Sequence, residues 1–506
     1  MAWIVGDSFD YYGGHIDLGH SVWDTYDFAT QAAFVTGTST RFNAGQALKM
    51  QFRAPQLTKV FGSNEATVYI ASAFLRPGVQ SGSTVELYFE LRDGVTAQCA
   101  ICFTSGGTIV FKSGAYNSAT ILATYSAAFV QDTWNHFQFR VVIDPSAGTF
   151  TIRKNGSPTD TFAATGLNTR VSANSYTNVI ALGNNNTSNG NIDDLLVYSA
   201  AGAAPNTWVG DVRAVCLPPV ADTAVKVMTP VIATATCLGD TNTIGNGVVP
   251  ANTICFSLGQ TLANSNPPPR SGIVTTSQVT VNTAMTGHMK CALYLDVNQY
   301  PGPLLWTSNE ITNPPSGVNV LTWPATMYLS SRNRYWVALL TDANVTMSTG
   351  GDTGVFYSTP TSYATGFPAT APAGMTTGPF TRPFTSRFTV SGNCTNVSES
   401  LANSDTDYVY SSNSGDEDLY DLDDLVPAAV NVLGVVSKVF FRKSDAGTRT
   451  GQLRLKSGAT EVGGTDTNPS ATYTYTYRVD TTDPNTGAAW SGAAINALQL
   501  GVKVTS

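Results

Sequence analysis

The chain has 506 residues, of which 12% are charged and 42% hydrophobic, with a formal net charge of −8 and a pI near 5.0. That acidity argues against a nucleic-acid binder, which needs basic groups to displace phosphate counterions. No apolar run reaches 18 residues, so no membrane insertion by a helix is expected.

The length calls for more than one core. Forty-five Gly, 25 Pro and abundant Thr, Ser, Asn and Tyr favour short strands and turns, so the expected class is all-β. In chain order, residues 1–219 contain ATVYIASAFLR, STVELYFELRDG and TIVFKSG, which read as strands. WNHFQFRVVIDPSAGTFTIRKNG then reads as a hairpin turning at DPSAG. Phe137, Phe139, Val141 and Ile143 share one face of its first strand, and His136, Gln138, Arg140 and Val142 the other. Residues 220–393 form a second expected module, with HMKCALYLDVNQYPGPLLWTSNE and VLTWPATMYLSSRNRYWVALLTD as strand–turn–strand units. Residues 394–506 form a third, with VSKVFFRKSDAGTRTGQLRLKSG and TYTYTYRVD as strands and AAWSGAAINALQL as the best helical stretch.

Catalytic patterns are sparse. Glu86 and Glu90 flank Tyr88 on one strand face, and at ~3.3 Å per residue their Cα atoms lie about 13 Å apart. Glycosidase carboxyl pairs need about 5–9.5 Å, so a solvated strand face is the expected reading. His15, His20, His136 and His288 have no accompanying nucleophile motif, and no P-loop or GxGxxG occurs. The chain is therefore expected not to be an enzyme, and no cofactor is implied.

Seven scattered cysteines suggest neither a disulfide framework nor a zinc site. Cys99 and Cys102 read as core packing, most thiols are expected reduced, and Cys237–Cys255 is the pair most apt to bridge. The acidic run at Asp405, Asp407, Asp416, Glu417, Asp418, Asp421, Asp423 and Asp424 lacks the grammar of a calcium loop and reads as a solvated surface or a face meeting a basic neighbour. No metal ligand is assigned. Asp193 and Asp194 are expected to cap a strand end through loop amides.

Three stretches together carry a resemblance: DSFDYY near the start, the 134–156 hairpin, and NIDDLLVYSAAGAAPNTWVGDVRAVCLPP at 191–219. They resemble the concanavalin A-like jelly-roll domain of tailed-bacteriophage virion proteins. The GDEDLYDLDDL, FFRKSDAGTR and DPNTGAAW stretches resemble the C-terminal module of such proteins. The resemblance implies a jelly roll over 1–219, with the 191–198 strand beside an N-terminal strand, followed by two smaller β-sandwich-like modules. It also implies a structural component of a phage particle, an exposed appendage or tail-associated subunit. A capsid decoration or head-fibre protein is the alternative within that class, and a glycan-active hydrolase the alternative outside it.

The implied partners are other virion proteins and host surface glycans. The implied location is the virion, assembled in the bacterial cytoplasm, since MAWIVGDSFD shows no secretion-signal pattern. Sugar sites on β-sandwiches combine an aromatic platform with amides that read hydroxyls. The candidates of that kind are Tyr11, Tyr12 and Trp23, with Asn184, Asn185 and Asn189 in the GNNNTSNGN loop.

Overall fold

The computed structural model describes residues 3–9, 22–26, 33–36, 41, 46–50, 53–76, 85–126, 128–130, 132–185, 190–202, 205–230, 234–239, 243–258, 272–297, 300–324, 327–329, 334–350, 356–372, 375–377, 386–391, 393–398, 408–425 and 431–506. The fold is all-β, and among the described residues its helical parts are short turns such as Gly492–Asn496, which Ser491 caps by accepting from the Ala494 amide. No helix among the described residues is long and apolar enough to cross a membrane. The chain forms two compact units: residues 1–216, 425–498 and 505–506 make the first, and residues 217–424 and 499–504 the second. The segment expected as a third module, 394–506, is thus divided between them.

The first unit holds a two-sheet antiparallel jelly roll. One sheet runs in the order Phe162–Leu167, Gly148–Lys154, Asn135–Val142, Thr67–Leu75, Gly190–Ser199, Gln46–Met50 and Ala33–Thr36; an eighth strand, Trp3–Asp7, also pairs with Gly190–Ser199. The facing seven-stranded sheet runs Ile121–Tyr125, Ile109–Ser113, Thr96–Thr104, Val85–Asp93, Thr177–Asn184, Arg53–Glu65 and Thr25–Tyr26. The N-terminal strand lies antiparallel to the IDDL strand, with Trp3 opposite Tyr198 and Asp7 opposite Leu195, as the resemblance implies. The expected hairpin forms with Phe137 opposite Lys154 and Val142 opposite Thr149. Its turn is held by Asp144, whose Oδ1 accepts from the Ser146 and Ala147 amides at 2.8 and 2.7 Å.

Period-2 alternation fills the space between the sheets. Phe137, Phe139 and Val141 point inward with Phe74, Phe89 and Phe103. Phe74 and Phe103 meet at 4.6 Å between ring centroids, and Phe103 and Phe139 edge-on at 6.0 Å. Each such side chain contributes about 1.5–3 kcal/mol over its exposed state. Cys99 joins this core, whereas Cys102, three residues on, points out of the opposite face. Burial pushes both thiols up, Cys102 to about 12, so neither is a ready metal ligand or nucleophile. Cys99, Cys102, Cys216, Cys255, Cys291 and Cys394 are free thiols, in line with mostly reduced cysteines, and Cys255 is not bridged to Cys237, the pair named as most apt to bridge.

Residues 425–498 contribute a hairpin of Val435–Phe441 with Thr474–Asp480. Leu433 packs on the cluster that contains Tyr69 and Tyr198, and Tyr477 accepts a hydrogen bond from Lys59 at 3.3 Å. The ammonium of Lys438 is buried there, and that burial pushes it down to about 8, with Asp7 opposing the shift.

The second unit includes two seven-stranded antiparallel sheets. One is centred on Gly272–Val281, the other on His288–Val297 and Tyr335–Thr341. Leu293, Val337 and Leu339 from the latter meet Val279 and Phe388 from the former. Two members of the acidic run, Glu417 and Asp418, are buried rather than solvated. Asp418 is fully buried: Oδ1 accepts from the Val227 and Met228 amides at 2.6 and 2.8 Å, and Oδ2 from Asn393 Nδ2 and the Tyr420 hydroxyl at 2.7 and 2.8 Å. Four donors replace the water that a buried carboxylate would otherwise lose. Glu417 is also buried, and Lys503 donates to it at 3.1 Å. Asp405 and Asp407 lie outside the described residues.

Candidate functional site

A sheet in a sandwich has an inner and an outer face, and the two outer faces of the first unit differ. On the eight-stranded sheet, Tyr69 and Tyr198 stack at 5.0 Å with planes 4° apart, and Trp208 meets Tyr69 edge-on at 5.3 Å. Trp208 belongs to a strap, residues 207–214, that crosses this face. Gln138 Oε1 accepts from the Val209 and Gly210 amides at 2.9 and 3.2 Å, and the Tyr198 hydroxyl donates to the Thr207 carbonyl at 2.8 Å. Asp194 Oδ1 accepts from the Ala214 amide at 2.7 Å, while Arg41 Nη1 donates at 2.8 Å to both Asp194 Oδ2 and the Val212 carbonyl. Asp194 therefore caps loop amides as expected, from a left-handed φ of 52° that suits its short polar side chain.

His136 lies buried under the strap with no hydrogen-bond partner for either ring nitrogen. Burial pushes its imidazole down to about 4; Asp211, 3.8 Å away, opposes the shift and Arg41 adds to it.

The seven-stranded sheet turns a different surface outward. Gly183 sits opposite Tyr88, and a Cβ there would overlap the Tyr88 hydroxyl and ring, so the bare backbone lets Tyr88 lie flat. Tyr116 stacks on Tyr88 at 4.1 Å with planes 6° apart. The Tyr116 amide donates to Glu90 Oε1 at 2.8 Å, and Arg92 Nε donates to Glu90 Oε2 at 2.8 Å. Tyr88 and Glu90 are therefore buried, not on the solvated strand face expected, because the 115–116 turn folds over them. The Glu86 side chain lies outside the described residues, and the pairing with Thr96–Thr104 is irregular between Val85 and Leu87.

Tyr116 itself stays half-exposed, and its hydroxyl donates at 3.2 Å to Oδ1 of exposed Asn185. Tyr88's hydroxyl has no hydrogen-bond partner. Further along this face, Thr58, Val60, Gly94, Val95 and Asn178 line a shallow depression.

Of the candidate glycan residues, Asn185 is the one placed on this face. Trp23 is in the core, donating from Nε1 to Asp7 Oδ2 at 2.9 Å, so it is not an exposed platform. Asn184 is fully buried at the end of its strand, not on a free loop. Tyr11, Tyr12 and Asn189 lie outside the described residues. Tyr116 went unassigned from sequence. Its only local signal is an aromatic beside Asn117 in the turn that leads into the edge strand Ile121–Tyr125.

In the second unit, His288 Nδ1 is 2.6 Å from Asp342 Oδ2, and the Tyr363 hydroxyl donates to Glu310 Oε2 at 2.8 Å. The hydrogen bond to Asp342 raises the His288 pKa. This cluster has an imidazole and acids but no nucleophile within its hydrogen bonds. Among the described residues no three His, Cys, Asp or Glu side chains gather as a metal site.

No family model matches the chain, and no curated protein matches it. Solved structures do show likeness. A cellulose-induced protein is 12% identical, with a TM-score of 0.30, over 41% of this chain and 99% of its own. A carbohydrate esterase from the Shiga toxin-encoding bacteriophage phi24B is 18% identical, with a TM-score of 0.27, over 38% of this chain and 99% of its own. A carbohydrate-binding module from Bacillus subtilis is 8% identical, with a TM-score of 0.22, over 33% of this chain and 92% of its own.

Proposed function

We propose that this chain is a non-catalytic structural component of a tailed-phage particle, an exposed appendage or tail-associated subunit, whose first unit contacts host surface glycans. The observation that supports the contact is the outer face of the seven-stranded sheet. It carries a half-exposed aromatic ring braced from behind by a second ring, with an exposed amide hydrogen-bonded to its edge. A braced ring offers apolar area at little entropic cost, and the amide supplies donors for hydroxyls.

The virion part of the reading rests on the sequence motifs at 1–219 and in the C-terminal segment. Its partners would be neighbouring virion proteins, and its place the assembled particle. A non-catalytic role is supported by Glu90, whose carboxylate is already engaged by Arg92 and the Tyr116 amide. Two measurements test the proposal. Mass spectrometry and immunogold imaging of purified particles should find the chain on the tail or its appendages; its absence from particles would overturn the virion reading. Purified chain should be retained on immobilised host polysaccharide and lose retention in Tyr116→Ala; unchanged retention would overturn the assignment of this face.

A further inference from the structure

The seven-stranded face has a charge pattern as well as a ring. Glu90, Ala100 and Lys112 stand opposite one another on three adjacent strands, so all three project from the same outer face. At ~4.8 Å per strand, the Lys112 backbone lies about 10 Å from that of Glu90, to which the Tyr116 amide is bonded. The small Ala100 side chain between them leaves that path open. A lysine stem is long enough to bring its ammonium to the edge of the Tyr116 ring.

The charges here are not balanced alike. Glu90 and Arg92 neutralise one another, and Glu90 is buried. Lys112 is half-exposed and takes part in no ion pair or hydrogen bond among the described residues. Its field still reaches this spot: it eases the otherwise raised Cys102 thiol, and the Cys102 Sγ lies 3.8 Å from the Tyr116 carbonyl. An unneutralised cation beside a platform, on a chain of net charge −8, is a recognition element for an anion. Asn185 complements it. Its Oδ1 is taken by the Tyr116 hydroxyl, which leaves its amide NH₂ as a pure donor.

We propose that this face selects sugars carrying a carboxylate, with Tyr116 stacking on the pyranose, Lys112 facing its carboxylate and Asn185 donating to an oxygen. The inference rests on the glycan-contact reading and adds its substrate class. A uronic acid fits because its carboxylate projects from the ring edge, outside the stacked area, where a flexible ammonium can meet it.

The test uses the full-length chain with tetragalacturonate and with the same tetrasaccharide after its carboxyls are reduced to alcohols. At low salt the acidic form should bind ~5-fold more tightly, the size expected of one solvent-exposed ion pair. Lys112→Gln should erase that ratio by bringing the affinity for the acidic form down to that for the neutral one, and Lys112→Arg should keep it, which controls for folding. Salt near 1 M should also erase it. Equal affinity of wild type for both forms, or a ratio that survives Lys112→Gln, overturns the inference and leaves glycan contact standing. Binding of neither sugar, with Tyr116→Ala no different from wild type, overturns both.

Discussion

The two outer faces of the first sandwich begin from similar sequence and end differently. Both carry polar and aromatic residues on strands whose alternate positions fill the core. On the eight-stranded sheet, Tyr69, Tyr198, Gln138 and His136 are roofed by the 207–214 strap, with Leu433 packed against the tyrosines. On the seven-stranded sheet, one turn covers Tyr88 and Glu90, and Tyr116 remains half-exposed above them. A polar outer face therefore becomes core or binding surface according to what lies over it. The cover here comes from segments far away in the chain.

The sharpest way to break the contrast is to strip the covered face. Asp194→Ala would take from Arg41 its buried carboxylate, leaving it Asp211 and the Val212 carbonyl, and would free the Ala214 amide. Losing one member of such a pair costs about 3–5 kcal/mol, so the denaturant midpoint of the first unit should fall accordingly. A loss under 1 kcal/mol would mean that the strap is not held from this end.

Acid should loosen the same face, with a slightly smaller effect. His136 titrates near 4 when folded, against about 6.5 when unfolded. Between those values the unfolded chain holds a proton that the folded chain does not, so stability falls as pH falls through that window, by roughly 3 kcal/mol. His136→Asn should remove this dependence in denaturation curves taken from pH 7 to 4. Equal pH dependence in wild type and variant would show that the imidazole is not buried neutral.

On the open face, Gly183→Ala should displace Tyr88 and with it the Tyr116 platform, at about 1–3 kcal/mol of stability, as overpacking does. Its retention on glycan should drop with it. The smallest effect belongs to Tyr88→Phe. Its hydroxyl has no partner, so removing it should change stability by less than about 1 kcal/mol, or raise it. A larger loss would reveal a partner for that hydroxyl, such as a bound water.

Much of this was legible from local pattern. Phe137, Phe139 and Val141 alternate because they line one face of a strand, and DPSAG marks its turn through side-chain chemistry that needs no distant partner. The pairing of the 191–198 strand with the N-terminus followed from the resemblance. What local pattern missed shares a cause. His136 and Gln138 stand on the face expected of them, but periodicity gives no sign that it is roofed, because the cover lies some 70 residues on in the chain. Asp418 sits in a run that looks like solvated charge, yet its donors include amides at Val227 and Met228, about 190 positions earlier. Trp23 resembles a sugar platform beside Tyr26, but its indole is claimed by Asp7. Tyr116 escaped notice because an aromatic in a turn has no periodic neighbour to mark it.

The division of the chain also imposes a schedule. Residues 425–498 belong to the first unit, yet about two hundred residues of the second unit are translated before them. At about 5–20 residues per second, roughly 10–40 s pass between the ribosome's release of the 207–214 strap and its synthesis of Leu433 and Lys438. Through that interval the Tyr69–Tyr198 cluster lacks its last apolar neighbour, and Asp7 lacks the charge of Lys438. A nascent chain halted at residue 424 should therefore expose a sticky, half-finished sandwich, and chaperone binding should peak there and decline once the remaining residues emerge.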